Sequence, residues 1–246
     1  MARPLWLMAL FFLLVACTPG EDPISDGEIT DSDIDLDEVI NFPDPHLLAC
    51  VKSHAYISAE KPVRIKDVKN LTFLECISCG ITDLTGLEKM PWVMELDFNG
   101  NPITSLEPLR NSIDLELLDV GGGGVSTLEP LTGCTKMKSL NVSGEGNIQD
   151  ISPIGNMSVL EKLYLSGNGI EDISEISRHA GLVTLFISHT KVKNIDALKA
   201  LLSLKLLDVR GACITDFSPI EYLKENGNLK TIYGATAEEQ DYARCQ

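Results

Sequence analysis

Leu160-Glu161-Lys162-Leu163-Tyr164-Leu165-Ser166-Gly167-Asn168-Gly169-Ile170-Glu171-Asp172-Ile173-Ser174-Glu175-Ile176 is the stretch on which the reading of this chain turns. Its first part alternates apolar and polar residues, which predicts a half-buried strand with Leu163 and Leu165 inward and Tyr164 outward. Beyond Asn168 the apolar residues return every third position, at Ile170, Ile173 and Ile176, a spacing that suits a short 3₁₀ turn. The whole pattern recurs about every 22 residues, opened by Leu71, Val93, Leu115, Met137, Leu160, Leu182 and Leu204. The step from Met137 to Leu160 is one residue longer, and the extra residue falls within Ser143-Gly144-Glu145-Gly146-Asn147.

A period of this length with L-x-x-L-x-L-x-x-N-x-I is the signature of a leucine-rich repeat solenoid. One repeat cannot bury its own apolar face, so the strands must stack into a parallel sheet on the concave side of a curved horseshoe, an α/β solenoid. The position of Asn168 reads Cys79, Asn101, Gly123, Asn147, Asn168, Thr190 and Ala212 along the repeats. A buried Asn there bonds backbone groups in the bend, so the third and seventh repeats, with Gly and Ala, are expected to bend more loosely. Gly100, Gly122, Gly167 and Gly211 precede that position, as a bend of positive φ requires. The run Gly121–Gly124 falls at the same bend and is not followed by Lys-Ser/Thr, so it is not read as a phosphate cradle.

The period, the bend chemistry and the phrase Ile81-Thr82-Asp83-Leu84-Thr85-Gly86-Leu87 resemble the internalin-like bacterial leucine-rich repeat proteins. Phe42-Pro43-Asp44-Pro45-His46-Leu47-Leu48-Ala49-Cys50-Val51 resembles the helical N-terminal cap of that group. The resemblance extends from residue 41 to about 234. It implies a cap over 41–70, repeats over 71–234 and a C-terminal cap or tail over 235–246. It carries little about function, since one scaffold presents many faces.

Residues 1–16 read as an export signal: Arg3, then an apolar run from Leu5 to Ala16 that is short for a membrane span. Leu14-Val15-Ala16-Cys17 resembles a lipobox, which implies lipidation on Cys17, a membrane contact through that anchor alone, and a place in the bacterial cell envelope. Thr18, where Asp would favour the inner membrane, points by the same resemblance to the outer membrane. Residues 17–40 form an acidic stretch without a basic residue, expected to be an extended tether. Its Asp31-x-Asp33-x-Asp35-x-Asp37 lacks the Gly and Glu of a calcium loop, with Leu36 and Phe42 in those places.

An exported chain permits disulfides. Count alone leaves the pairing open. A cap helix lying over the open end of the core brings Cys50 to Cys76, while Cys213 and Cys245 are placed to hold the C-terminal tail. Cys79 and Cys134 read as small buried residues. Cys76-x-x-Cys79 is explained by a strand and a bend position, so no metal or redox pair is assigned.

No catalytic constellation is present: His46, His54, His179 and His189 do not share a repeat register, and no nucleophile elbow occurs. No cofactor is implied. The net charge of −16 speaks against nucleic acid as a partner. The informative surface is the outward column of the strands: Glu75, Asp97, Asp119, Asn141, Tyr164, Phe186, Asp208 and Tyr233. Three successive carboxylates favour a nearby cation or a basic partner, and exposed aromatics are typical of binding hot spots. Glu95, Lys162, Thr184, His189, Lys205 and Arg210 flank them. Two readings follow: a non-catalytic envelope module that binds a protein, or alternatively a glycan, on this face, and a structural envelope lipoprotein with no ligand there.

Overall fold

In the computed structural model, the described residues are 35–236 apart from Glu145, together with Glu238, Gln240 and Cys245. The expected signal peptide, the lipidation site Cys17 and the tether up to residue 34 lie outside them. Eight three-residue strands form one parallel sheet in chain order: β1 (Phe73–Glu75), β2 (Glu95–Asp97), β3 (Leu117–Asp119), β4 (Ser139–Asn141), β5 (Lys162–Tyr164), β6 (Thr184–Phe186), β7 (Leu206–Asp208) and β8 (Thr231–Tyr233). The central leucines Leu74, Leu96, Leu118, Leu140, Leu163, Leu185 and Leu207 face one another in register and are almost fully buried. Single 3₁₀ turns, such as Glu107–Leu109 and Ser174–Arg178, return the chain, with Ile170, Ile173 and Ile176 buried behind the sheet. The architecture is a leucine-rich repeat solenoid. After Leu204 the equivalent repeat position is Leu229, a few residues later than the period allows, and that slack accommodates a full helix, Ser218–Asn226.

The bends are where neighbouring repeats are joined. Asn101 is fully buried: its Oδ1 accepts the Ile81 N–H of the preceding repeat at 2.9 Å, and its Nδ2 donates to the Cys76 and Phe98 carbonyls, both at 2.7 Å. Asn168 repeats this with Ile148, Val142 and Leu165. Ile148 is therefore equivalent to Ile81 and Ile103, which makes Gly146, not Asn147, the bend position of the fourth repeat. Asn147 is exposed, against the sequence assignment.

The looser bends expected at Gly123 and Ala212 are not found either. The Gly124 N–H donates to the Ile103 carbonyl at 2.9 Å and the Cys213 N–H to the Val192 carbonyl at 3.0 Å, so the backbones close directly where no Asn intervenes. A Cβ on Gly123 would lie 2.6 Å from the Ile103 carbonyl oxygen, which explains why glycine stands there. Cys79 is exposed rather than buried. It belongs to the first repeat, with no earlier bend to pack against.

The cap consists of α1 (Pro45–His54) and α2 (Ile65–Val68). Asp44 joins it to the repeats. One carboxylate oxygen accepts the His46 and Leu47 N–H groups at the start of α1, and the other accepts the Thr82 N–H, the Thr82 hydroxyl and the Asp83 N–H. Burial raises the Asp44 pKa, but these bonds outweigh it and bring the carboxyl to about 2. Cys50 and Cys76 are joined in a disulfide with Cα atoms 6.2 Å apart, closing a 26-residue separation. The tether was expected to reach Ile40, but its last residues belong to the cap. Val39 bridges Arg64, the Ile40 N–H donates to the Val63 carbonyl, and Ile40 is buried. A helix that loses water from its apolar face gains more by recruiting Ile40 and Phe42 than a charged tether gains by keeping them solvated. At the other end Cys213 is bonded to Cys245, and the Gln240 amide donates to the Gly234 carbonyl at 2.6 Å. Among the described residues no helix is long and apolar enough to cross a membrane.

Asn101→Ala leaves the Ile81 N–H and the Cys76 carbonyl unpaired, the Phe98 carbonyl keeping the N–H of residue 101, and should cost about 2–4 kcal/mol of unfolding free energy, while Asn147→Ala should change it by less than about 0.5 kcal/mol. Denaturant titration of the two variants checks this bend assignment. For Asp44 the folded pKa lies below the ordinary 3.8, so its contribution is present above pH ~4 and is lost as the pH falls toward 2. Asp44→Asn should lower stability at neutral pH by about 2 kcal/mol and flatten the acid limb in that window, as read from thermal unfolding against pH.

Candidate binding face

The outward column emerges in strict register: Glu75, Asp97, Asp119, Asn141, Tyr164, Phe186, Asp208 and Tyr233 are successive partners across β1 to β8. Neighbours along it are about 4.8 Å apart. The column runs acidic to aromatic toward the C-terminal end, yet its members do different work.

Four of them hold the strand ends. Asp97 Oδ1 accepts the Asn99 N–H at 3.2 Å, Asp119 Oδ1 the Gly121 N–H at 2.9 Å, Asn141 Oδ1 the Ser143 N–H at 3.0 Å, and Asp208 Oδ1 the Arg210 N–H at 3.1 Å. This is the Asx turn, a short side chain mimicking a backbone turn. The Asp119 carboxylate also receives the Asn99 and Asn141 amides, each at 3.0 Å. Of the three carboxylates expected to favour a cation or a basic partner, Asp97 and Asp119 are thus furnished with donors from their own sheet, while Glu75 lies exposed at its edge. The Asx pattern was visible in the sequence as Asp or Asn at the outward strand position of four repeats, Asp97, Asp119, Asn141 and Asp208, but the aspartates were read there only as charge.

Asp208 departs further from the expectation of a partner contact. It is only 2 % exposed, because Arg210 covers it with Nε at 3.0 Å and Nη2 at 2.7 Å. Burial pushes its pKa up, but the Arg210 bonds and charge prevail and hold it below the usual carboxylate value. The Arg210 guanidinium in turn lies 5.0 Å from the Tyr233 ring centroid, a cation–π contact.

Repeats five and six break the Asx pattern. A Phe186 ring carries no acceptor, so the Ser188 N–H cannot donate such a bond to it. The Tyr164 and Phe186 rings meet edge to face, centroids 5.0 Å apart at 78°. Both remain partly open to solvent, with small residues beside them: Ser166 and Ser188, whose hydroxyls bond at 2.8 Å, and the buried Thr184. The rings therefore form a notch rather than a flat platform. Burial, and then the Asp119 charge, raise the Tyr164 phenol above its ordinary pKa, keeping it a neutral donor at pH 7. His189 lies exposed beyond Phe186 in a left-handed conformation, φ 55°, at a corner where most repeats place Gly.

Away from the sheet, Cys50, His54 and Cys76 converge, with ligand atoms within 4.8 Å of one another. The two sulfurs are bonded to each other, and the His54 Nε2 accepts the Glu75 N–H at 3.2 Å while Nδ1 lies 3.0 Å from the Cys50 carbonyl oxygen. The imidazole so capped serves the edge strand. A shallow hollow of about 330 Å³ lies between the first two repeats behind the sheet, with Asp83, Glu88 and Glu107 on its rim. Asp83 caps Thr85, Glu88 caps Gly86 and Glu107 pairs with Arg110, so its acids too are engaged locally. His179 stands in the buried apolar column of Met90, Cys134, Met157 and Leu201, where burial lowers its pKa and keeps the ring neutral.

No protein-family model matches the sequence, and no curated protein does. Solved structures do. Internalin C2 of Listeria monocytogenes is 26 % identical with a TM-score of 0.71, over 83 % of this chain and 91 % of that one. A second internalin of Listeria monocytogenes is 24 % identical with a TM-score of 0.64, over 78 % of this chain; the chain spans only 63 % of its length. The leucine-rich repeat ectodomain of a membrane receptor kinase from Arabidopsis thaliana, solved in complex with a casparian strip integrity factor, is 19 % identical with a TM-score of 0.52, over 59 % of this chain and 18 % of that one. Together they identify the fold as an internalin-like leucine-rich repeat solenoid.

Proposed function

We propose that this internalin-like solenoid is a non-catalytic protein-binding module of the bacterial cell envelope, held by a lipid on Cys17, with the Tyr164–Phe186 notch as its anchor point. The observation that carries the reading is the break in the Asx pattern. Where four repeats use the outward position to cap the strand, repeats five and six give up that bond for two rings that stay partly in water. Such a substitution costs a local hydrogen bond of about 1 kcal/mol, and aromatic anchors in contact surfaces return that many times over. The fold neighbours support the coarser part of the reading, since one of them was solved with its ligand bound. The edge-to-face notch suits an inserted side chain better than the stacked face of a sugar, which favours a protein over a glycan.

The anchor at Cys17 and the outer-membrane location rest on the lipobox resemblance and on Thr18. An acidic stretch from Thr18 would then separate the solenoid from the bilayer.

With a captured partner in hand, Phe186→Ala should weaken binding about tenfold or more, whereas Asp97→Asn, which preserves the strand-end acceptor, should leave it within about twofold. A calorimetric titration of both variants tests the anchor; parent-like binding by Phe186→Ala removes it. Cys17→Ala expressed in a bacterial host should yield either unprocessed precursor or, once the signal is removed, protein in the aqueous phase on phase separation. Detergent partitioning like the parent's in a Cys17→Ala chain whose signal has been removed would refute the lipid anchor.

A further inference from the structure

The charges around the notch are distributed unevenly, and this sets the chemistry of what binds there. At the strand-entry edge, successive repeats place Glu116, Lys138, Glu161, Val183, Lys205 and Lys230 in equivalent positions. Toward the N-terminal end these charges neutralise one another: Lys138 pairs with Glu116 at 2.6 Å, and the Glu161 charge acts on the same lysine. Toward the C-terminal end they do not. Lys205 and Lys230 are adjacent, the Lys230 N–H donating to the Lys205 carbonyl at 3.0 Å, and both are exposed. Lys162 is exposed in β5, two residues from Tyr164 and in register with Thr184 beside Phe186. Among the described residues none of these three lysines takes part in an ion pair, whereas Arg210 is bound to Asp208. Three exposed ammonium groups without an ion-pair partner border one notch and make it a locally basic patch in a chain of net charge −16, complementary to an anionic group.

From this we infer that the occupant of the face is an acidic segment of a partner protein. One bulky apolar side chain packs into the open angle formed by the Tyr164 and Phe186 rings, which touch edge to face, and a neighbouring Asp, Glu or chain-terminal carboxylate lies over Lys162, Lys205 and Lys230. The inference rests on the concave-face reading above and specifies its ligand. Charge of this kind steers encounter and selects against wrong partners more than it adds affinity, so the ring notch holds and the lysines choose. The N-terminal half of the column, with the carboxylates of Glu75, Asp97 and Asp119, contributes repulsion to any acidic segment that binds in the wrong direction.

A displayed library of random linear peptides, selected on the immobilised exported chain with its disulfides intact, tests this. Selection should enrich peptides carrying Asp or Glu beside a bulky apolar residue. Their binding should weaken with added salt, and should fall about tenfold or more both on Phe186→Ala and on the double reversal Lys205→Glu/Lys230→Glu. Peptides that depend on Phe186 but lack acidic residues and bind the reversal variant equally would overturn the inference while leaving the concave-face reading intact. Peptides indifferent to Phe186 would overturn both. A selection without enrichment of acidic sequences counts against it as well. Binding that appears only after residues 18–34 are removed would show the chain's own acidic segment as the occupant and overturn the assignment to a partner.

Discussion

A repeat of about 22 residues has one apolar face and nothing of its own to cover it, and the rest of this structure depends on that deficit. Each unit is stable only when the next lies against it in register, so the chain is a stack whose every contact is between neighbours. The buried leucines set the register, and the bends lock it. Asn101 and Asn168 lock it by reaching back to the preceding repeat, and Gly123 by letting the backbones approach directly. The two ends have no neighbour on one side. There the chain spends its special chemistry: Asp44 and the Cys50–Cys76 disulfide seat the cap, and Cys213–Cys245 holds the last repeat.

That constraint leaves one column of the sheet free to vary, and the proposed function rests on that column. Its outward residues are not needed by the core. Four of the eight have been recruited to a second structural task, closing the strand end through an Asx turn. The Tyr164–Phe186 pair is conspicuous because it performs neither task. Next to it, lysines go uncompensated in a strongly acidic chain. Apolar exposure and unbalanced charge coincide at one place on the face, and each alone would be weaker ground for a contact surface than the two together.

Much of this was legible before any coordinates. The period specified the parallel sheet, the 3₁₀ returns, the column from Glu75 to Tyr233 and the neighbourhood of Cys50 and Cys76, because stacking leaves few other ways to bury the leucines. The failures are equally physical. Within Ser143–Asn147 the pattern alone does not say which residue is extra, and an Asn in view was preferred to Gly146. Cys79 was assigned by repeat average, whereas an end repeat has no predecessor to bury it. Asp208 was read as a surface charge because Arg210 two residues on was not seen as its cover. The helix Ser218–Asn226 was missed although the longer interval from Leu204 to Leu229 announced room for it. In each case the periodic average was right for the interior of the stack and wrong where a neighbour was missing or a side chain reached sideways.

If the two rings exist for a partner, the fold should not need them, and no partner is required to find out. In a Tyr164→Asn/Phe186→Asn variant the fifth and sixth repeats regain the acceptor that their neighbours use. The Asx bonds so restored offset the edge-to-face contact and the half-buried ring area, each on the order of 1 kcal/mol. Equilibrium unfolding in denaturant should place the variant within about 1 kcal/mol of the parent, with an unchanged slope. A loss of about 3 kcal/mol or more would mean that Tyr164 and Phe186 hold the sheet together, and the binding face would have to be sought elsewhere on the molecule.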